Sequence, residues 1–297
     1  MAGAQDQMDA SGRLDLTRSA RSPFRNVFGI IMTVLTAGFT ILTIVPLVAI
    51  VYDVARQGLS RLSLDSFTQL PPPPGLEEGG FGNAIVGSLI VLGIAAAISV
   101  PIGVLASVYL SEFGRGTKIA YGVKFATNVL AGVPAILCGL FAYSLVVVFT
   151  GGFSAFAGGV ALSVVMLPIV VRATEEGLLL VPQEVRQAAI GLGATRFQTV
   201  MRVVIPAALP SIATAVTLAV ARAGGEAAPL LFTALNNNFW STDLWQPIAT
   251  LPVLIYFYAI IPFKAQQEIA WAAALVLLAI ILIVSISSRL LTRQKIY

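Results

Sequence analysis

Long uncharged runs separated by short charged stretches occupy almost the whole chain, and the lengths of those runs predict the architecture. A helix needs about 20 apolar residues to cross a bilayer. Runs of that order lie within Asn26 to Tyr52 and Asn83 to Leu110, bounded by Arg25, Asp53, Glu78 and Glu112. No charge occurs between Lys124 and Arg172, so two further crossings fit there as a hairpin with Gly151 to Gly159 as its turn. A fifth helix is predicted over Leu209 to Ala234 and a sixth over Ile269 to Ser288, closed by Arg289. The expected fold is an all-α integral membrane protein with six transmembrane helices: a polar tail over 1–26 precedes one membrane domain over 27–297. The uncharged stretch from Leu244 to Phe263 is interrupted by Pro247, Pro252 and Pro262 and reads as a re-entrant or surface segment.

Charge adds a direction to this pattern. Of the 18 Lys and Arg residues, fourteen fall on one predicted side and three, Arg56, Arg61 and Lys264, on the other, with Arg222 inside a span. Cytosolic loops carry the basic excess, so both termini are expected in the cytosol, behind an uncleaved first helix. Scattered beside apolar runs, the basic residues signal topology, not nucleic acid. With 57% hydrophobic and 11% charged residues, against about 25% charged in a soluble domain, no soluble enzyme domain is expected. Histidine is absent and the one cysteine, Cys138, sits in an apolar run, which excludes disulfide frameworks and Cys/His metal sites. Gly114-Arg115-Gly116-Thr117-Lys118 lacks the glycine that precedes the lysine of a phosphate-binding P-loop, so the chain is not expected to hydrolyse ATP or to bind a cofactor itself. Pro71 to Pro74 form a stiff spacer in the outer loop.

Two places carry candidate chemistry. The first is Arg222 with Glu226, charges inside a predicted span. Each costs about 2.5 to 3.5 kcal/mol on insertion scales, so such residues face protein or an aqueous path. At i and i+4 they share a helix face and can pair. Either Arg222 meets an oxyanion in transit, with Glu226 holding the guanidinium when the path is empty, or the two brace the bundle. Arg172, at the end of helix four, is a positive-inside anchor or lines the inner mouth of the same pathway. Gly224-Gly225, Gly132-Val133-Pro134 and Pro168 permit breaks or kinks. The second place is the cytosolic loop over 182–206. Val185, Ala188, Ala189 and Leu192 recur at helical spacing, and Gly193 can supply a positive-φ break before a second short helix. That pattern suits a knob docking on a partner protein, or an interfacial helix lying on lipid.

The loop resembles the signature of ABC importer permeases: E-A-A, three residues, glycine, nine residues, then I-x-L-P. Here it reads Gln187-Ala188-Ala189, Gly193, then Val203-Val204-Ile205-Pro206, with glutamine in the glutamate position. The resemblance covers about 83–290. It implies a type I ABC importer permease core whose loop docks on an ATP-hydrolysing subunit. A narrower resemblance runs through Ala221 to Leu235, Phe239 to Asp243, Gln246 to Ala249 and Leu251-Pro252. These stretches look like the A-type membrane subunit of phosphate-specific importers. That likeness implies phosphate as cargo and, as partners, a second permease subunit, a pair of ATPase subunits that use the ATP, and an extracytoplasmic phosphate-binding protein, all around a lipid-embedded core. Sulfate or molybdate permeases, and an ion-coupled carrier in which Glu226 moves a proton, are the alternatives. A membrane-embedded enzyme is disfavoured, because the loops carry no paired carboxylates and no nucleophile–base cluster.

Overall fold

The computed structural model describes residues 23–76 and 78–291. Most of the expected polar tail, up to residue 22, lies outside the described residues, as do Glu77, Arg293 and Lys295. The chain divides into two units, Met1–Asp53 and Val54–Tyr297.

Helix α1, Pro23–Arg61, accounts for the described part of the first unit and runs on through Arg61. Every side chain described from 27 to 53 is exposed. The polar groups of this apolar stretch are answered within the helix: Thr33, Thr36, Thr40 and Thr43 each donate their hydroxyl to the carbonyl one turn back, at 2.8–2.9 Å. An apolar helix that satisfies its own polar groups is what a bilayer accepts.

In the second unit a one-turn helix α2, Asp65–Thr68, precedes α3, Gly82–Val108, which continues through a π turn at Tyr109–Phe113. Then come α4, Lys118–Gly132, α5, Ala135–Ala142, a π turn at Tyr143–Val147, and α6, Val148–Thr150. Helix α7, Ala155–Leu179, leads into the loop helices α8, Gln183–Gly191, and α9, Arg196–Thr199. A π turn at Val200–Val204 opens α10, Ile205–Gly224. Short helices α11, Ala228–Leu231, and α12, Leu251–Ile260, precede α13, Lys264–Leu291. Among the described residues five helices are long and apolar enough to cross a membrane; counting the bent pair 118–132 and 135–150 as one span makes six. Helix α12, at ten residues, is about 15 Å long, half the ~30 Å hydrocarbon core, and makes no seventh crossing.

The core is centred on the crossing of α3 with α7. A Cβ on Gly103 would lie 2.7 Å from Val170, and one on Gly159 would lie 2.3 Å from Ile94, so glycine sets how closely these helices approach. Ser107 donates to the carbonyl of Val171 across the same seam, at 2.8 Å. Small residues and interhelical hydrogen bonds are what hold helices together in lipid, where the hydrophobic effect gives little. Val91, Ala95, Leu162, Met166 and Val170 fill the seam, and Ala219, Ala223 and Leu230 close it from α10 and α11. A second cluster joins Phe81, Leu251 and Leu254 to Ile269 and Ala273 of α13.

Several boundaries differ from expectation. Helix α1 runs past Tyr52 to Arg61, and α7 runs on through Glu175 and Glu176 to Leu179, so Arg172 lies within its helix and not at the end. The hairpin turn is shorter than 151–159, because Ser154 accepts from the amide of Ala157 and starts α7 at Ala155. Helix three starts at Lys118, capped by Thr117, and bends by 109° at Val133-Pro134. Helix five stops at Gly224 instead of reaching Ala234.

Candidate functional site

Two helix breaks meet around one cavity, and local chemistry sets both. Pro134 disfavours helical backbone in the residue before it, and Val133 is extended (φ −75°, ψ 130°), ending α4. Pro229 cannot continue a helix through Gly225, whose carbonyl its ring would strike, and Gly224-Gly225 is a weak helix former. Helix α10 accordingly ends at Gly224, and the amides of Gly225 and Glu226 turn back onto the carbonyls of Arg222 and Ala223, at 3.2 and 3.1 Å. The broken segments then pack on each other. Gly139 of α5 lies against the backbone of Pro229, where a Cβ would come within 2.6 Å of its Cα.

The cavity so enclosed has a volume of about 220 Å³. Leu130, Ala131 and Val133 line it from the end of α4, Ala135 and Cys138 from α5, Pro168 and Arg172 from α7, and Arg222 and Glu226 from the second break. It has room for a small oxyanion with water. The three charged residues singled out in the sequence thus reach one space. They do not do so as a helical i, i+4 pair: Glu226 lies beyond the end of α10, and no ion pair joins it to Arg222. Arg172 donates to the side-chain carbonyl of Asn128, a neutral acceptor, at 2.6 Å. The nearby Glu175 is held instead by Lys124, at 2.6 Å. Among the described residues, the two arginines of the cavity therefore carry no carboxylate partner, and neither guanidinium is buried.

The 182–206 loop forms two helices joined at a left-handed glycine. Gly193 has φ +88°; its amide bonds the carbonyl of Ile190 (2.9 Å) and that of Ala194 bonds Ala189 (3.1 Å), the paired bonds of a Schellman cap. Thr195 and Gln198 then build a capping box that starts α9. A Cβ on Gly193 would meet nothing within 4 Å, so the constraint is conformational and not the steric clash expected for a larger residue. Val203 lies in the π turn, and Ile205-Pro206 open α10, with proline in the first turn where its missing N–H costs nothing.

The burial of this loop inverts what its periodicity suggests. Gln187 and Ala188 are exposed and Ala189 half-buried, while Val185 is 40%, Ile190 54%, Leu192 90% and Phe197 63% exposed. The buried residue of α8 is Arg186. Its guanidinium grips Glu112, in the π turn that ends α3, with Nη2 at 2.7 Å from Oε1 and Nε at 3.4 Å from Oε2. It also donates to the carbonyls of Leu178 (2.8 Å), Val181 and Pro182. Arg196 donates to the backbone carbonyl of Glu112 and lies over the ring of Phe113, 5.4 Å from its centroid. Sequence reasoning missed this cluster, since its two halves stand 74 residues apart. The one available signal was Glu112 itself, an acid set at the end of an apolar run.

Comparison with known proteins follows the same lines. The family described as "Binding-protein-dependent transport system inner membrane component" matches residues 99–297. The phosphate transport system permease protein PstA of Xylella fastidiosa is 45% identical over 81% of this chain and 84% of its own length. Its namesake from Yersinia pestis is 41% identical, over 84% of each. Among solved structures, a bacterial alginate ABC transporter aligns with a TM-score of 0.61 at 14% identity, covering 89% of this chain and 96% of that one. The inward-facing MetNI methionine ABC transporter aligns at 0.58 and 21%, over 71% and 93%. At such identities the last two speak for the fold alone. Broken helices around a charged cavity, a helix–glycine–helix loop and these relatives agree, and the chain belongs to the family of binding-protein-dependent transport system inner membrane components.

Proposed function

We propose that this multi-pass inner-membrane protein is the permease subunit of an ATP-driven importer that carries inorganic phosphate into the cytosol. The observation that carries this reading is the cavity at the two helix breaks, where Arg172 and Arg222, which form no salt bridge with a carboxylate among the described residues, outnumber the one acid, Glu226. Irregular backbone at membrane depth is tolerated where it lines a cavity, and broken helices mark transport sites. Arg222 offers an oxyanion a planar fork of donors, and Glu226, facing the same space, repels the anion or takes the guanidinium once the anion has left. Phosphate as the anion follows the names of the relatives.

Inward movement of a dianion against 100 mV costs about 4.6 kcal/mol before any gradient is counted, so an energy source is needed. In this reading a pair of ATPase subunits binds and hydrolyses the ATP, this chain holds no cofactor, and the exposed apolar side chains of α8 and α9 dock on that subunit. A second, related permease subunit completes the pathway, and an extracytoplasmic phosphate-binding protein delivers the anion. Both termini and the 182–206 loop face the cytosol, following the basic residues.

The test is uptake by the reconstituted complex. Phosphate accumulation is expected to require ATP and the binding protein, to survive collapse of the proton gradient, and to resist excess sulfate or molybdate. Loss of uptake with the proton gradient would instead make Glu226 a proton carrier. Orientation is checked in a Cys138→Ser background. A cysteine at Ser60 should react with an impermeant reagent from outside and one at Thr195 should not.

A further inference from the structure

We infer that Arg186 is a positioning residue of the transport cycle: it ties the docking helix α8 to the ends of two membrane helices, so that displacement of α8 is passed into the bundle. The inference rests on the importer reading. It names which side chains convert docking into movement.

One guanidinium reaches three elements. Its fork closes on the carboxylate of Glu112, at the end of the α3 span, with Nη2–Oε1 2.7 Å and Nε–Oε2 3.4 Å. A second set of N–H groups meets the carbonyls of Leu178, in the last turn of α7, and of Val181 and Pro182 just beyond it. Of these, the carbonyl of Leu178 is one of the last four of α7, which lack the usual i+4 amide partner. The Arg186 and Glu112 side chains are each only 8% exposed. Directional, charge-assisted bonds in a buried site fix orientation more tightly than the sliding apolar contacts common elsewhere in this bundle. Arg196 adds a second tether from α9, onto the backbone of Glu112 and the face of Phe113. Helices α3 and α7 form the central seam, and α7 contributes Arg172 and Pro168 to the cavity. The line from docking face to cavity thus passes through Arg186 and along α7. Meanwhile Val185, Gln187 and Leu192 are exposed, take no part in these bonds and stay free to dock.

A purely structural brace would predict that variants lose assembly, or lose hydrolysis and uptake together. A positioning role predicts that they separate. The experiment uses the complete transporter, purified with its own partner subunits, reconstituted with the binding protein, and scored for phosphate moved per ATP hydrolysed. Arg186→Met is expected to assemble, to retain at least half of the ATP hydrolysis, and to lower phosphate per ATP by roughly two- to thirtyfold, the range that coupling-network variants span. Arg186→Lys keeps the charge without the fork and should fall between Met and wild type. Glu112→Gln keeps the shape and leaves the carbonyl bonds of Arg186 in place; it should lower the ratio while assembling normally. This variant decides the matter if Arg186→Met does not assemble. An unchanged ratio in Glu112→Gln, or uptake and hydrolysis falling in step in assembled Arg186 variants, would overturn the inference. Absence of ATP-dependent uptake in the wild-type complex would overturn the importer reading instead, so the two failures remain separate.

Discussion

The cavity and the loop knob treat arginine in opposite ways. In the cavity, Arg222 has no carboxylate partner and Arg172 leans on the neutral amide of Asn128. In the knob, Arg186 is buried and saturated by a carboxylate and three carbonyls. A charge that must meet a passing anion has to remain available, because a strong internal partner would compete with the cargo. A charge that holds two elements in register has to be occupied. On the proposed reading, recognition and transmission are separated by how fully each guanidinium is satisfied.

The largest expected effect tests the saturated end. Glu112→Leu leaves Arg186 buried without its counter-charge and should destabilise the folded protein by about 3–5 kcal/mol, whereas Glu112→Leu combined with Arg186→Met should recover most of that loss. Thermal denaturation in detergent reads both. At the open end, Arg222→Gln removes a charged donor worth about 1.5–3 kcal/mol and should lower phosphate uptake about ten- to hundredfold at unchanged folded yield. Lysine should keep part of the activity, and Arg222→Met with Glu226→Leu should stay inactive. Full transport by that double variant would turn the pair into a brace and erase the contrast. Within the knob, Gly193→Val places a β-branched residue at φ +88°, at a cost of about 1–3 kcal/mol, and should impair assembly with the ATPase while insertion proceeds; Gly193→Asn should be milder. The smallest effect is expected for Lys124→Met. Its bond to Glu175 is about half exposed on the lysine side, and such pairs are worth about 0.2–1 kcal/mol, so Tm should barely move.

The spans were legible because run length is a direct imprint of bilayer thickness. The apolar centres of α3, α7 and α13 lie where the uncharged runs place them, although α7 runs on past Arg172 to Leu179 and α13 starts at Lys264, before Ile269. The broken helix was legible only as a possible kink: Pro134 marks the position, but the 109° angle depends on what α5 packs against, and its neighbour Pro229 is 95 positions away. Helix five was drawn ten residues too long, since hydrophobicity continues past Gly224 and only the Gly-Gly and Pro229 signals oppose it. Arg172, Arg222 and Glu226 line one cavity; the sequence offered a shared pathway only beside an anchor for Arg172 and a brace for the other two, and the expected helical pairing of Arg222 with Glu226 does not form. Least legible was the knob. Periodicity shows that one face of α8 is apolar without showing which way it turns, and the carboxylate that decides the matter lies far away in the chain.

The outward-turned face of α8 and α9 also bears on how the chain behaves before it is assembled. With Leu192 90% and Phe197 63% exposed, a copy made without its ATPase partner displays an adhesive patch at the membrane surface. On the proposed orientation that patch faces the cytosol until a partner covers it, so the lone subunit should self-associate in detergent more readily than the assembled one.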